Sequence, residues 1–325
     1  MFSKKQTMRQ FITPLLLGFI VFNISSYNFA QADEQCIAVF YPEVRKPYDR
    51  VLKEIMTGIE QTALWSVWQH PIQKTYSPNE FESIVKQSKC KAAIGLGKSG
   101  MQLVSSITHL PVVAGAVVAG AVLAQPNESE TIPTLSLMPS PIELFKRLKH
   151  FSPNIKTVTV VYSPDNNQQL ISTALLAAKQ QGIKLIPLTA KNLREALPLY
   201  KNVINNTDPR SNALWLLQDR LTVDNKIVLP FLLEQAWNKH FILFSSQAGH
   251  ARNGVLFSVY PDNVRLGRRI GEVTQKCATV GCLDKTKIML LQDMQTAINI
   301  RTAAHLNIRI NKRNDPFVDL IFPRK

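Results

Sequence analysis

Residues 155–188 read IKTVTVVYSPDNNQQLISTALLAAKQQGIKLIPL. Val158, Val160 and Val161 favour a buried strand, and Ser163-Pro164-Asp165 is turn chemistry, because proline presets φ and short polar side chains bond nearby backbone. Leu170, Ile171, Ala174, Leu175 and Ala178 then recur at helical spacing, and Gly182 stands where a helix ends in the left-handed region. A second apolar run, Leu185–Leu188, follows. This is one βαβ unit of a parallel sheet, since parallel neighbours need a crossover. Its polar strand-to-helix loop lies outside the carboxyl end of a strand, where such sheets bind ligands.

The same rhythm runs through most of the chain. Strands are expected near Ile37–Tyr41, Ala92–Leu96, Val112–Ala116, Val158–Tyr162, Leu185–Leu188, Ala213–Leu217 and Phe241–Phe244. Helices are expected near Pro47–Gln61, Asn79–Gln87, Ser99–Ile107, Ser140–Phe151, Asn167–Gln181, Val223–Lys239 and Pro261–Lys276. Such alternation means α/β architecture, with doubly wound parallel sheets covered by helices on both faces. VVAGA recurs in tandem at 112–121, too briefly for a repeat fold. The rhythm breaks at Gln125–Pro141, QPNESETIPTLSLMPSP, which reads as a hinge between two lobes of ordinary domain size.

The amino end reads as an export leader. Lys4, Lys5 and Arg9 form a basic start, Phe11–Phe22 an apolar core, and Ala30-Gln31-Ala32 a small-x-small cleavage site. That core of roughly a dozen residues is short of the ~20 a membrane span needs. The mature chain, about 290 residues from near Asp33, is long enough for two cores. Removing the leader's three basic residues lowers the formal charge from +15 to +12. The excess is scattered and lacks interleaved aromatics, so it reads as a solvated basic surface and argues against nucleic-acid binding.

Four cysteines in an oxidising compartment are expected to pair. Cys36 and Cys90 each open an apolar run; if those runs are adjacent parallel strands, the thiols meet at the amino ends. Cys277 and Cys282 can close a small loop. Cys36–Cys90 and Cys277–Cys282 are therefore expected among the three possible connectivities. No metal is expected, because no CxxC, HExxH or local histidine spacing accompanies these residues.

From Leu135 onward the chain resembles the substrate-binding proteins of ABC transporters, in the branch with tryptophan- and tyrosine-type binders. The similarity rests on an ordered set: PSPIELFKRLKHFSPNIKTVTVVYSPDNN, GIKLIPL, ALWLLQDRLTV, HFILFSS, GVLFSVYPDNVRLGRRIGE and INIRTAAHLNIRI. In the first half AAIGLGKSG and LPVVAGAV are similar to family strands, while the usual Gly-Tyr-x-x-Gly-x-Asn and Gly-Asn-x-Thr-Gly patterns are absent. The resemblance implies two lobes of the type I periplasmic binding protein fold joined by a multi-strand hinge. The expected division is a first lobe of 33–134 plus about 260–290, a second of 135–259, and a closing segment of 291–325. Crossings are placed near 132–137 and 258–260, with a third, implied by the resemblance, near 288–291.

Candidate site residues sit at strand ends. Ala92–Ser99, AAIGLGKS, is a relaxed phosphate loop with alanine in place of the first glycine. An exported protein meets little ATP, so the readings left are a carboxylate cradle of Gly97, Lys98 and Ser99 at a helix start, or tight packing through small residues. Across the cleft are expected Ser163, Asn166 and Asn167, then Gln218 and Asp219, where the acid suits a ligand amine. Ser245, Ser246 and Tyr260 complete that rim, with Tyr41 as the first-lobe aromatic. Ser163 and Asp165 are also natural helix caps. His250 has no evident acid or nucleophile beside it, and GKSG is out of frame for a nucleophile elbow, so no enzyme is expected. Neither is a cofactor.

These readings converge on an exported, periplasmic, monomeric solute-binding protein. The resemblance implies an amino acid-like or other polar organic ligand delivered to an inner-membrane ABC permease. The alternative is a periplasmic sensor or adaptor of the same fold docking on a membrane receptor, suggested by the absent first-lobe patterns.

Overall fold

The computed structural model describes residues 35–325 except 47, 63–64, 74, 118–131, 283–287, 312–313 and 324–325. The expected leader, most of the second VVAGA copy and the polar start of the expected hinge lie outside the described residues. No helix among the described residues is long and apolar enough to cross a membrane.

Two sheets organise the chain. The first holds β1 (Cys36–Pro42), β2 (Ser66–Ile72), β3 (Ala92–Leu96), β4 (Val112–Val117), β5 (Thr134–Pro139) and β11 (Ile288–Leu291) in the order β11-β5-β4-β3-β1-β2. All its pairings are parallel. The second holds β6 (Thr157–Tyr162), β7 (Lys184–Thr189), β8 (Asn212–Leu216), β9 (Ile242–Ser245), β10 (Phe257–Pro261), β12 (Met294–Asn299) and β13 (Leu320–Phe322). Its order is β13-β12-β10-β9-β8-β6-β7, and only β12 runs against its neighbour β10.

The βαβ unit read first appears as expected. β6 pairs in parallel with β7 from Thr157–Lys184 to Tyr162–Thr189. Between them α5 (Pro164–Gln180) carries Leu170, Ile171, Ala174 and Ala178 into the core. Gly182 takes φ +64°, the conformation a residue with a Cβ resists.

The other helices are α1 (Tyr48–Thr62), α2 (Pro78–Ser88), α3 (Gly97–Val104), α4 (Pro141–Phe151), α6 (Leu193–Asn206), α7 (Val228–Lys239), α8 (His250–Asn253), α9 (Asn263–Val280) and α10 (Ile300–His305). Helix α7 starts five residues later than expected. The Asp224 carboxylate accepts the backbone N–H groups of Lys226, Ile227 and Val228, which holds this stretch as a turn. Helices α1 and α9 cross backbone to backbone: a Cβ on Gly58 would overlap the Val264 carbonyl, and one on Gly267 the Ile55 carbonyl.

The chain passes between the sheets after β5, after β10 and between β11 and β12. These three connections are bonded to one another. Ser140 N–H donates to the Leu291 carbonyl at 2.8 Å, and Asp262 N–H to the Asp293 carbonyl at 2.9 Å. Buried Arg147 on α4 reinforces them by donating Nε to Thr296 Oγ1 at 2.8 Å and Nη2 to the Met294 carbonyl at 3.2 Å. Its remaining Nη1 meets Glu143 Oε2 at 3.0 Å. Burial alone would raise the Glu143 carboxyl, but Lys146 and Arg147 outweigh it and hold the group below the usual carboxylate range.

Both expected disulfides are present. Cys36–Cys90 ties the first residue of β1 to the turn before β3, and the two strands are parallel neighbours as supposed. Cys277–Cys282 closes the end of α9.

Candidate ligand-binding site

A cavity of about 390 Å³ opens where the connections meet the carboxyl ends of the second sheet. Leu137, Met138 and Pro139 from β5 and Val259, Tyr260 and Pro261 from β10 form one wall. Asn167 and Leu170 project from the first turns of α5, while Leu217, Gln218, Arg220, Ser246 and Ala248 come from the loops after β8 and β9. An apolar wall with a few convergent polar groups is the usual composition of a small-molecule site.

Two aspartates build the loop after β8. Asp219 turns inward: Oδ2 accepts Ser163 N–H at 2.8 Å and Thr222 Oγ1–H at 3.0 Å, and Oδ1 accepts Leu221 N–H at 3.1 Å. Asp224 then holds the start of α7. With Asp219 committed to the protein, the next side chain, Arg220, reaches the cavity, exposed and with no ion-pair partner among the described residues.

A second network lies beneath the loop after β9. Ser245 Oγ is 2.8 Å from His250 Nδ1, and His250 Nε2 is 2.8 Å from Asn225 Oδ1. The amide oxygen only accepts, so the ring proton sits on Nε2, and the Ser245 hydroxyl has two acceptors in reach, His250 Nδ1 and the Leu216 carbonyl at 3.1 Å. Burial pushes the His250 pKa down to about 4, so the ring is neutral at ordinary pH. Serine, histidine and asparagine in a row have the membership of a nucleophilic triad. Ser245 and His250 are both 0% exposed, however, and no substrate reaches them.

Ser246 is placed differently. Buried Trp215 donates its indole N–H to Ser246 Oγ at 2.8 Å. That bond uses the hydroxyl as acceptor and leaves its proton to donate into the cavity.

The sequence-derived candidates thus divide. Asn167, Gln218, Ser246 and Tyr260 come together around one cavity. Ser163 is buried as the residue before α5, its N–H committed to Asp219 and its hydroxyl without a protein partner. Asp219 and Ser245 are structural, because their oxygens are already engaged. The side chain of Asn166 lies outside the described residues. Tyr41 lines a separate depression of about 900 Å³ along β1, α1 and edge strand β2, with Arg45, Asp49, Lys53 and Glu60.

Gly97, Lys98 and Ser99 line neither cavity. β3 runs directly into α3, whose start has no side-chain cap, and Gly97 takes φ +68° at the junction. The glycines on either side serve packing: a Cβ on Gly95 would overlap the Gly100 carbonyl, and one on Gly100 would press on that of Phe40. Sequence reasoning missed Arg220 and the β5 wall. The only available signal was their position at strand ends in the LQDR and LSLMP segments.

The model of the family described as ABC transporter substrate binding protein matches residues 79–314. The chain belongs to this family. Its fold is shared with solved structures at low identity. One is the ligand-free, open structure of CD0873, a substrate-binding protein with adhesive properties from Clostridium difficile, at 15% identity and TM-score 0.62, covering 90% of this chain and 100% of that one. Another is an ABC domain in complex with L-Trp from Streptococcus pneumonia, at 18% identity and TM-score 0.50, covering 89% and 99%. None of the curated proteins matches in sequence. For a member of this family a small-molecule ligand and an ABC permease are the general partners, and the family is in general not enzymatic.

Proposed function

We propose that the protein is an exported solute-binding protein that closes on a small organic ligand in the hinge cavity and delivers it to an ABC permease. The observation that carries this reading is the convergence of Asn167, Gln218, Arg220 and Ser246 on one apolar cavity bordered by two inter-sheet connections. A ligand held there touches the second lobe and the hinge together, so its binding energy can favour a closed arrangement. Closure would carry the carboxyl ends of the first sheet, including Tyr41, toward it. We take 33–134 with about 260–290 and 135–259 as the moving lobes, with β5 to Pro139 going with the first sheet and β12 and β13 of the closing segment 291–325 with the second, and the periplasm as the compartment. The resemblance implies a small polar organic ligand, amino acid-like or otherwise, and the cavity has room for one.

Thermal-shift screening across amino acids, small carboxylates and sugars tests the reading. A ligand at a hundred times its Kd stabilises by ~2.7 kcal/mol, a rise of several degrees. Melting that no solute class changes would favour the sensor or adaptor role.

A further inference from the structure

The charge of the cavity lining, rather than its shape, narrows the ligand class. This rests on the binding function proposed above. Asp219, the acid that a ligand amine would need, has both oxygens bonded inside the protein. Among the described residues that line the cavity none is acidic, and the one charge is Arg220. Ser246 adds a hydroxyl that accepts the Trp215 indole N–H and keeps its proton to donate to a carboxylate. Leu137, Met138 and Leu170 supply apolar contact.

We infer that the ligand is an apolar carboxylate without an ammonium group, such as an aryl- or alkyl-substituted short-chain acid, rather than an α-amino acid. Its carboxylate is held by Arg220 and Ser246 and its body lies against the β5 wall. An ammonium at that end would be desolvated beside a guanidinium with no acidic side chain among the described lining residues to offset it.

Two matched series in which only the charged groups change test this: 3-phenylpropionate, L-phenylalanine and phenethylamine, and 4-methylvalerate, L-leucine and isoamylamine. Each is titrated calorimetrically into the full exported chain at pH 7.5. In at least one series the carboxylate should bind tenfold or more tightly than the amino acid, and neither amine should bind. Arg220→Glu should weaken the carboxylate at least tenfold and Arg220→Lys less; an unchanged melting temperature for both shows that the fold is kept. Equal or tighter binding of either amino acid would overturn the inference while leaving a binding protein. So would undiminished affinity in Arg220→Glu, or failure of both carboxylates while a sugar binds. If no solute of any class binds, the binding function itself falls, and the inference with it.

Discussion

The indole N–H of Trp215 and the hydroxyl of Ser246 meet at 2.8 Å beneath the hinge cavity, joining the core of the second sheet to the cavity's rim. Trp215 is held in turn between Phe145 and Phe244. The serine oxygen is therefore held in place at the cavity's edge. Ser246→Ala leaves the buried indole N–H without an acceptor and should cost ~1–3 kcal/mol of stability as well as affinity. Urea titration of the unliganded protein separates the two effects.

Asp219→Asn makes the opposite prediction for binding. The carboxylate accepts three protein donors, so the neutral amide, with one acceptor fewer, should cost ~2 kcal/mol in urea unfolding. Because Asp219 faces away from the ligand, the preference between carboxylate and amino acid should be unchanged. A shift toward amino acids would mean that this aspartate reads the ligand after all.

Neighbouring Asp219 and Arg220 show where sequence reading stops. Periodicity identifies the β8 strand, but beyond its end the alternation lapses, and three donors in the folded loop decide which side chain turns inward. Elsewhere strong periodicity sufficed, as in β6, α5 and β7. Helix α6 lies outside the expected elements: it carries an internal proline, Pro198, yet Ala196, Tyr200, Val203 and Ile204 bury one face and the Asn192 cap starts it. Strand β2 also lies outside the expected elements; it contains Pro71, which an edge strand tolerates. The glycines at 95, 97 and 100 were ambiguous between ligand cradle and packing, since both uses need the same missing Cβ.

Stability should fall with acid through His250. Its folded pKa, near 4, lies below the ordinary value of 6.5, so between these values the unfolded chain binds the extra proton. The contribution is complete above pH 6.5 and is lost as pH falls toward 4, on the order of 3 kcal/mol at most. Urea midpoints at pH 7 and pH 5 measure it, and His250→Phe should flatten the dependence.

The two disulfides should contribute unequally. Chain-entropy arguments give ~4 kcal/mol for a loop of 54 residues and ~2 kcal/mol for one of 5. Paired Cys→Ala variants compared by denaturant unfolding check the order; equal losses would contradict it.

Gly267→Ala should force α1 and α9 apart, because its Cβ would enter the Ile55 carbonyl, and should cost ~1–3 kcal/mol. Gly249→Ala, where a Cβ meets open space and φ is −73°, should be near neutral in the same urea experiment.

The most direct measurement is a crystal structure grown with the solute that most raises the melting temperature. The account predicts density against Met138, Asn167, Arg220 and Ser246, within the cavity bordered by the hinge connections. Density instead in the depression beside Tyr41 and Lys53, with the hinge cavity vacant, would contradict it.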